Sequence, residues 1–242
     1  MQVLETLAQA RGPVTLAALS QALELPKTSL MHLLRALEAA GYVRRIEGGY
    51  KLGSGSFRLA AGIERTNSFE EVVGDVLQAL RDDTGETALL GAVASDGRSA
   101  VYTDRRASAQ PVRFAPEVGQ HRPLYATGVG KLLLAYSDPG FMRGYLAATK
   151  LVPQASRTVK TRAALQQQLA QIRAEGLAVS VDEMADGGSS MAAPVFRADG
   201  GLRAALVLAV PTARFLVNKA RLEKCIRAAA KELSGIAQAA AR

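Results

Sequence analysis

Apolar residues recur at helical spacing in the first part of the chain and at strand spacing further on, and the change of period outlines its organisation. Val3, Leu4 and Leu7 predict a helix that ends at the Gly12-Pro13 break. Leu16, Leu19 and Leu23 follow a Thr15 cap and predict another. Only Glu24, Leu25 and Pro26 separate it from the next helix, which is expected to begin at Pro26, whose fixed φ suits a first turn, and to stop at Gly41. Leu30, Leu33, Leu34 and Leu37 fall at i, i+3, i+4 and i+7 and predict one buried stripe, leaving Thr28, His32, Arg35 and Ala39 on the other side. Residues 42–46 and 50–52 then flank Glu47-Gly48-Gly49 and predict a hairpin whose turn needs positive φ. A short helix, a tight turn, a second helix and a glycine-tipped hairpin are the order of a winged helix-turn-helix, which points to double-stranded DNA as partner.

Beyond the hairpin, Gly53-Ser54-Gly55-Ser56 reads as a flexible joint and residues 57–64 as a linker helix. Ser68 with Glu71 fits a capping box, ahead of a buried stripe of Val72, Val73, Val76, Leu77 and Leu80. Residues 87–93 and 100–103 predict a hairpin around Asp96-Gly97, residues 202–210 a buried strand, and residues 129–136 and 161–175 helices. The expectation is therefore a DNA-binding domain at 1–53, a linker at 54–67 and a larger domain at 68–242, α+β with an antiparallel sheet covered by helices. The 242 residues exceed the ~100–200 of one typical domain.

The net charge of +8 suits a polyanionic partner. Residues 1–66 hold eight Lys or Arg against five Glu, which assigns only +3 of it to the first domain. Many other cations lie in the alanine-rich helix expected over 214–231, where they read as a solvated face. Cys225 is the only cysteine, so no disulfide forms within one chain and the thiol reads as an ordinary reduced one. The first ten residues contain Glu5 and lack a basic start, and no apolar run approaches ~18 residues, so a cytoplasmic protein without a membrane segment is expected.

In the winged domain, Thr28, Ser29, His32 and Arg35 are the candidates for base edges, with Lys27, Arg44, Arg45 and Lys51 on phosphates. Elsewhere, motifs that resemble catalytic ones fall short. Gly128-Val129-Gly130-Lys131 would need Gly at 125 and Ser or Thr at 132 to be a phosphate loop, where Tyr125 and Leu132 stand. Gly187-Gly188-Ser189-Ser190-Met191 lacks the last glycine of a nucleophile elbow, and only His32 and His121 supply imidazoles. No ligand set has metal spacing, no cofactor is called for, and Asp182-Glu183 reads as a solvated loop pair. These glycine- and serine-rich loops fit a small-molecule pocket instead. Backbone N–H groups at 128–130, opening a helix, can receive a carboxylate, and Ser189 and Ser190 add hydroxyls.

The runs LPKTSLMHLLRALEAAGYV, YKLGSGSFRLA, RPLYATGVGKLLLA and GLAVSVDEMADGGSSMAAPVFRADGGLRAALVLAVP resemble the IclR-type bacterial transcriptional regulators over nearly the whole chain. The resemblance implies a GAF-like sensor fold for the C-terminal part and a homodimer or homotetramer on a pseudo-palindromic operator, as repressor or activator of a catabolic operon. It also implies a small organic-acid effector surrounded by Gly128, Val129, Ser180, Ser189 and Ser190. His32 stands where the family's recognition helix often has a basic residue, Ser180 where an acid is common, and Ser190 where a cysteine is. Two other readings stay open: an enzyme acting on a small acid, with the winged domain as an interaction module, and a structural DNA-binding protein with a vestigial sensor.

Overall fold

The structure is a computed structural model that describes residues 2–66 and 69–239. It comprises two compact units, residues 1–68 and 69–242.

The first unit contains α1 (Gln2–Gln9), α2 (Leu16–Leu23), α3 (Lys27–Ala39), β1 (Val43–Ile46), β2 (Gly49–Leu52) and α4 (Ser54–Thr66). Thr15 caps α2, its hydroxyl accepting from the Ala18 N–H at 3.1 Å. The turn into α3 passes through Glu24 in the left-handed region, φ 53°. Pro26 is the residue before the helix, with ψ 137°, so α3 starts at Lys27, one residue later than expected. Leu30 and Leu34 are fully buried with Val3, Leu7, Leu19, Val43 and Tyr50, and Leu37 packs partly against them. Leu33 departs from the expected stripe and is 41% exposed. At 3.6 residues per turn it lies about 60° from Leu30, at the rim of what so small a bundle can cover.

The wing pairs Val43 with Leu52 through Ile46 with Gly49, and Val14 adds an antiparallel bridge to Tyr50. Gly49, φ 139°, is required there, because a Cβ would stand 2.3 Å from the Val14 carbonyl oxygen. The segment expected as a flexible joint is a fixed corner. Gly53 and Gly55 donate N–H bonds to the Tyr42 and Gly41 carbonyls, both at 2.8 Å, and the Ser56 hydroxyl donates to Tyr42 at 2.8 Å.

The second unit contains α5 (Phe69–Thr84), β3 (Thr87–Val93), β4 (Ser99–Arg106), β5 (His121–Pro123), a 3-10 turn (Leu124–Ala126), α6 (Gly128–Tyr136), α7 (Pro139–Ala148), α8 (Arg162–Glu175), β6 (Ala178–Val181), β7 (Gly188–Phe196), β8 (Leu202–Pro211) and α9 (Thr212–Ala239). The capping box expected at Ser68 lies outside the described residues. All neighbours in the six-stranded sheet are antiparallel, in the order β5-β4-β3-β8-β7-β6. Along β8, Ala205, Val207 and Ala209 belong to the core shared with α6 and α8, while Leu206, Leu208 and Val210 belong to the core shared with α5 and α9. Burial of both faces explains why this strand reads as an unbroken apolar run rather than an alternation.

The cations of α9 are not merely a solvated face. Arg221 donates to the Asp83 and Thr84 carbonyls at the end of α5, each at 3.0 Å, and Arg227 donates to Glu175 at the end of α8 at 3.0 Å. Arg173 reaches Ala135 in the last turn of α6 at 2.8 Å, and Arg162 reaches Ala147 in the last turn of α7 at 3.0 Å. Arginines from neighbouring helices thus supply donors and positive charge at carbonyl ends that carry the negative pole of the helix dipole. Arg214 is committed to Glu86 instead, through bonds of 2.6 and 2.8 Å.

Two glycine substitutions in this unit should move stability in opposite directions. At Gly130 a Cβ would stand 2.4 Å from the Leu124 backbone, whereas at exposed Gly144 in α7 it would meet nothing within 4 Å. Gly130→Ala should lose ~1–3 kcal/mol to overpacking, and Gly144→Ala should gain ~0.5–1 kcal/mol of helix propensity, read from denaturant unfolding.

Candidate functional site

In the first unit Lys27, Thr28, Ser29, His32 and Arg35 are all exposed on α3. From Lys27 through Leu37 the helix carries no carboxylate. The hairpin divides the three wing cations that the sequence reading grouped together. Arg44 lies directly across from Lys51, so two like charges share one face, an arrangement that costs stability unless an anion is nearby. Arg45 lies on the other face, across from Tyr50, and its N–H donates to Glu38 Oε1 at 3.2 Å, tying the wing to the end of α3. Leu33 was not foreseen as part of this surface.

In the second unit Ser180, Ser189 and Ser190 come together with the start of α6, but they sit in β6 and β7 rather than in loops. Ser180 pairs with Ser190 and Val181 with Ser189 across the two strands. With Tyr102, Arg122, Thr127 and the 182–188 turn they line a cavity of about 130 Å³. Its roof is the strap 107–120, whose Phe114 ring lies so close to Gly188 that a Cβ there would approach it to 2.9 Å. Arg105 holds the strap by donating to the Ala115 and Pro116 carbonyls, each at 3.3 Å, and pairing with Glu117 at 2.8 Å.

The expected site residues have different surroundings. The Gly128 N–H donates to Ser190 Oγ at 3.2 Å and the Gly130 N–H to Thr127 Oγ1 at 3.1 Å, so the start of α6 is partly capped from within. Ser190 keeps its own hydroxyl proton for another acceptor. Thr212 donates to Asp182 Oδ1 at 2.7 Å, which leaves Ser189, 2.9 Å from Thr212 Oγ1, as donor in that pair. The Ser180 hydroxyl donates to Ala126 at 3.5 Å. Val129 does not line the cavity; it is fully buried, and a Cβ on Gly91 would lie 2.6 Å from its Cγ2.

Glu183 corrects the reading of Asp182-Glu183 as a solvated pair. Its carboxylate is buried and takes Lys131 Nζ at 2.5 and 2.6 Å, with Lys131 only 1% exposed. Lys131 is the lysine of the rejected phosphate-loop motif, and its spacing from Glu183 gave no signal that they meet. Burial pushes the Lys131 ammonium below its ordinary value, with the Glu183 carboxylate opposing. The pair joins α6 to the 182–188 turn that walls the cavity.

A larger cleft of about 800 Å³ lies between the β3–β4 turn, β5 and α7. Within it His121 Nδ1 is 2.7 Å from Ser99 Oγ, which in turn lies 3.1 Å from Asp96 Oδ2. Serine stands between carboxylate and imidazole here, whereas a hydrolase triad needs the imidazole in the middle. The cleft pairs Asp96, Ser99 and His121 with one another and shares Arg122 with the smaller cavity, which sets four hydroxyl-bearing residues, Thr127, Ser180, Ser189 and Ser190, beside that cation. Among the described residues no group of three or more His, Cys, Asp or Glu is placed to hold a metal, and no helix is long and apolar enough to cross a membrane.

Comparison with known proteins decides the family. Residues 1–47 match the IclR helix-turn-helix domain, and residues 65–235 match the bacterial transcriptional regulator IclR C-terminal domain. The chain belongs to the IclR family of transcriptional regulators. It is 33% identical to the probable transcriptional regulator SauR of Cupriavidus necator over 220 residues, covering 90% of this chain and 86% of that one. It is 25% identical to the transcriptional repressor IclR of Escherichia coli over 216 residues, covering 88% and 79%. Among solved structures it is similar to the repressor BlcR of Agrobacterium tumefaciens, with TM-score 0.65 and 27% identity over 98% of this chain and 94% of that one. A transcriptional regulator from Rhodococcus sp. RHA1 matches with TM-score 0.71 and 26% identity over 94% and 91%. IclR-family membership makes the chain a DNA-binding transcription regulator, with a helix-turn-helix unit followed by an α+β unit.

Removing one partner of the buried ion pair should be costly and removing both much less so. Lys131→Met strands the Glu183 carboxylate and should lose ~3–5 kcal/mol, whereas Lys131→Met with Glu183→Leu should recover most of it. Denaturant midpoints of the two variants give the comparison.

Proposed function

We propose that this IclR-family regulator controls a catabolic operon by binding a pseudo-palindromic operator as a homodimer or homotetramer in the cytoplasm. Its affinity for DNA is set by a small organic acid held in the cavity of the second unit, and it catalyses no reaction. The observation that carries the DNA reading is the outward face of α3, cationic or neutral from Lys27 to Leu37, flanked by the like-charged pair Arg44 and Lys51. Thr28, Ser29, His32 and Arg35 meet base edges in the major groove. Leu33, exposed near Ser29, offers an apolar contact to a thymine methyl. Lys27, Arg44, Arg45 and Lys51 take phosphates, Arg45 from the opposite side of the wing. Half-sites then lie about 34 Å apart or at a multiple of that spacing.

For the effector, Ser180, Ser190 and the Gly128 N–H stand around the acid, Ser189 supports them through Thr212, and Val129 contributes packing alone. The relatives named as repressors favour repression as the mode of control. A ligand that binds one DNA-affinity state better than the other shifts the population between them by that difference.

The test is binding of the purified protein to DNA upstream of its own coding region and to random duplex, at two salt concentrations. Arg35→Ala should cost ~1–3 kcal/mol on the operator and little on random DNA. Arg44→Ala and Lys51→Ala should each weaken both duplexes and lower the slope of log K against log salt by about one. Equal affinity for operator and random DNA in the wild type would overturn the reading.

A further inference from the structure

The cavity wall has two polar heads without a hydrogen-bond partner among the described residues. Arg122, which borders both this cavity and the larger cleft, is half-buried, yet it makes no ion pair or side-chain hydrogen bond with another described residue. Around it, Arg105 holds Glu117, Arg106 holds Asp104 and Arg214 holds Glu86. The Tyr102 phenol is 5% exposed and is likewise without a hydrogen-bond partner among the described residues. Arg122 is placed in register with Ala100, two residues before Tyr102 on β4, so both side chains project on the same face of the sheet. The guanidinium lies near enough to act electrostatically on the phenol. Burial nevertheless pushes the Tyr102 hydroxyl up to about 12, so that it stays a proton donor throughout the neutral range.

No carboxylate side chain lines this cavity; its other polar walls are the hydroxyls of Thr127, Ser180, Ser189 and Ser190. A half-buried guanidinium without a counter-ion is costly, and an incoming oxyanion removes that cost through charge-assisted bonds. The volume of about 130 Å³ is close to that of an engineered cavity, ~150 Å³, that takes benzene, so the ligand has roughly six non-hydrogen atoms.

The geometry points to Arg122 and Tyr102 as the pair that selects the ligand of this cavity: a compact oxyanion seated on the guanidinium, with the phenol donating to the same anion or to a neighbouring oxygen. This inference rests on the ligand-responsive reading above and adds to it the residue that recognises charge and a limit on size. The Ser190 hydroxyl, on β7, supplies a third donor.

The test uses the full chain, titrated by calorimetry with acetate, glycolate, methanesulfonate and inorganic phosphate. Glycolamide serves as the neutral counterpart of glycolate, and 4-phenylbutyrate as an acid too large for the cavity. At least one of the four compact anions should bind saturably, and which of them does so separates carboxylate, sulfonate and phosphate ligands. Glycolamide and 4-phenylbutyrate should not bind. Arg122→Gln should weaken the bound anion about tenfold or more, the worth of a charge-assisted hydrogen bond, with Arg122→Lys recovering part of the loss. Tyr102→Phe, which removes one oxygen and keeps the packing, should weaken it severalfold at an unchanged melting temperature of the free protein. The proposal is overturned if none of the compact anions binds, if glycolamide binds as well as glycolate, or if Arg122→Gln binds the anion as the wild type does. Operator binding measured on the same samples keeps the two readings apart. Intact operator binding without anion binding would sink this inference alone, and loss of operator preference with anion binding intact would sink the regulator reading alone.

Discussion

The second unit depends on how closely α6 lies against the sheet and the 3-10 turn. Gly91 and Gly130 stand where any Cβ would be driven into Val129 or the Leu124 backbone. That closeness fills the core around Leu132 and Leu134, and it brings the start of α6 to within a hydrogen bond of Ser190. It also allows Lys131, one turn into the helix, to meet Glu183 beside the cavity. A helix set farther out would leave the lysine unpaired and the cavity open to the core. The family motif around Gly128 and Gly130 is a packing device first, and the cavity lies at its edge.

Charge follows a similar logic. The excess of basic residues suggested a polyanionic partner, and α3 from Lys27 to Leu37 does present cations without a carboxylate. Yet in the second unit the helix ends are closed by arginines: α5 by Arg221, α6 by Arg173, α7 by Arg162 and α8 by Arg227. These four helices end where turns alone do not satisfy their carbonyls, and a long flat donor reaches across from a neighbouring helix. Net charge therefore overstates the surface available to nucleic acid.

Much of this architecture was legible in the chain. The three N-terminal helices, the wing, the Asp96-Gly97 hairpin, β8, α6 and α8 followed from periodicity and turn residues, because each has a local signature. What was missed depends on distant partners. Residues 187–191 read as a glycine- and serine-rich loop leading into a strand, although pairing with β8 already makes a strand of them from Gly188 onward. Gly53 and Gly55 suggested freedom, but the approach of the Gly41 carbonyl is what requires them. Leu33 fits the spacing of a buried stripe, and only the small size of the bundle exposes it. The residues that meet at the cavity were visible as an inventory of serines and glycines, while Arg122, Tyr102 and the Lys131–Glu183 pair carried no signal, since 52 residues separate the ionic partners.

The strand order has a consequence for how the chain is made. β3 is flanked by β4, which follows it closely, and by β8, more than a hundred residues later, with Thr87 facing Ala209. On a ribosome the winged unit is complete by residue 68 and free to fold as it emerges. The sheet of the second unit cannot close until β8 has been synthesised, nor can α5 and α8 receive Arg221 and Arg227 before then. Its contacts are of long sequence range and correspondingly slow to form. During each round of synthesis a nascent chain thus passes through an interval in which the helix-turn-helix unit already exists and the α+β unit does not.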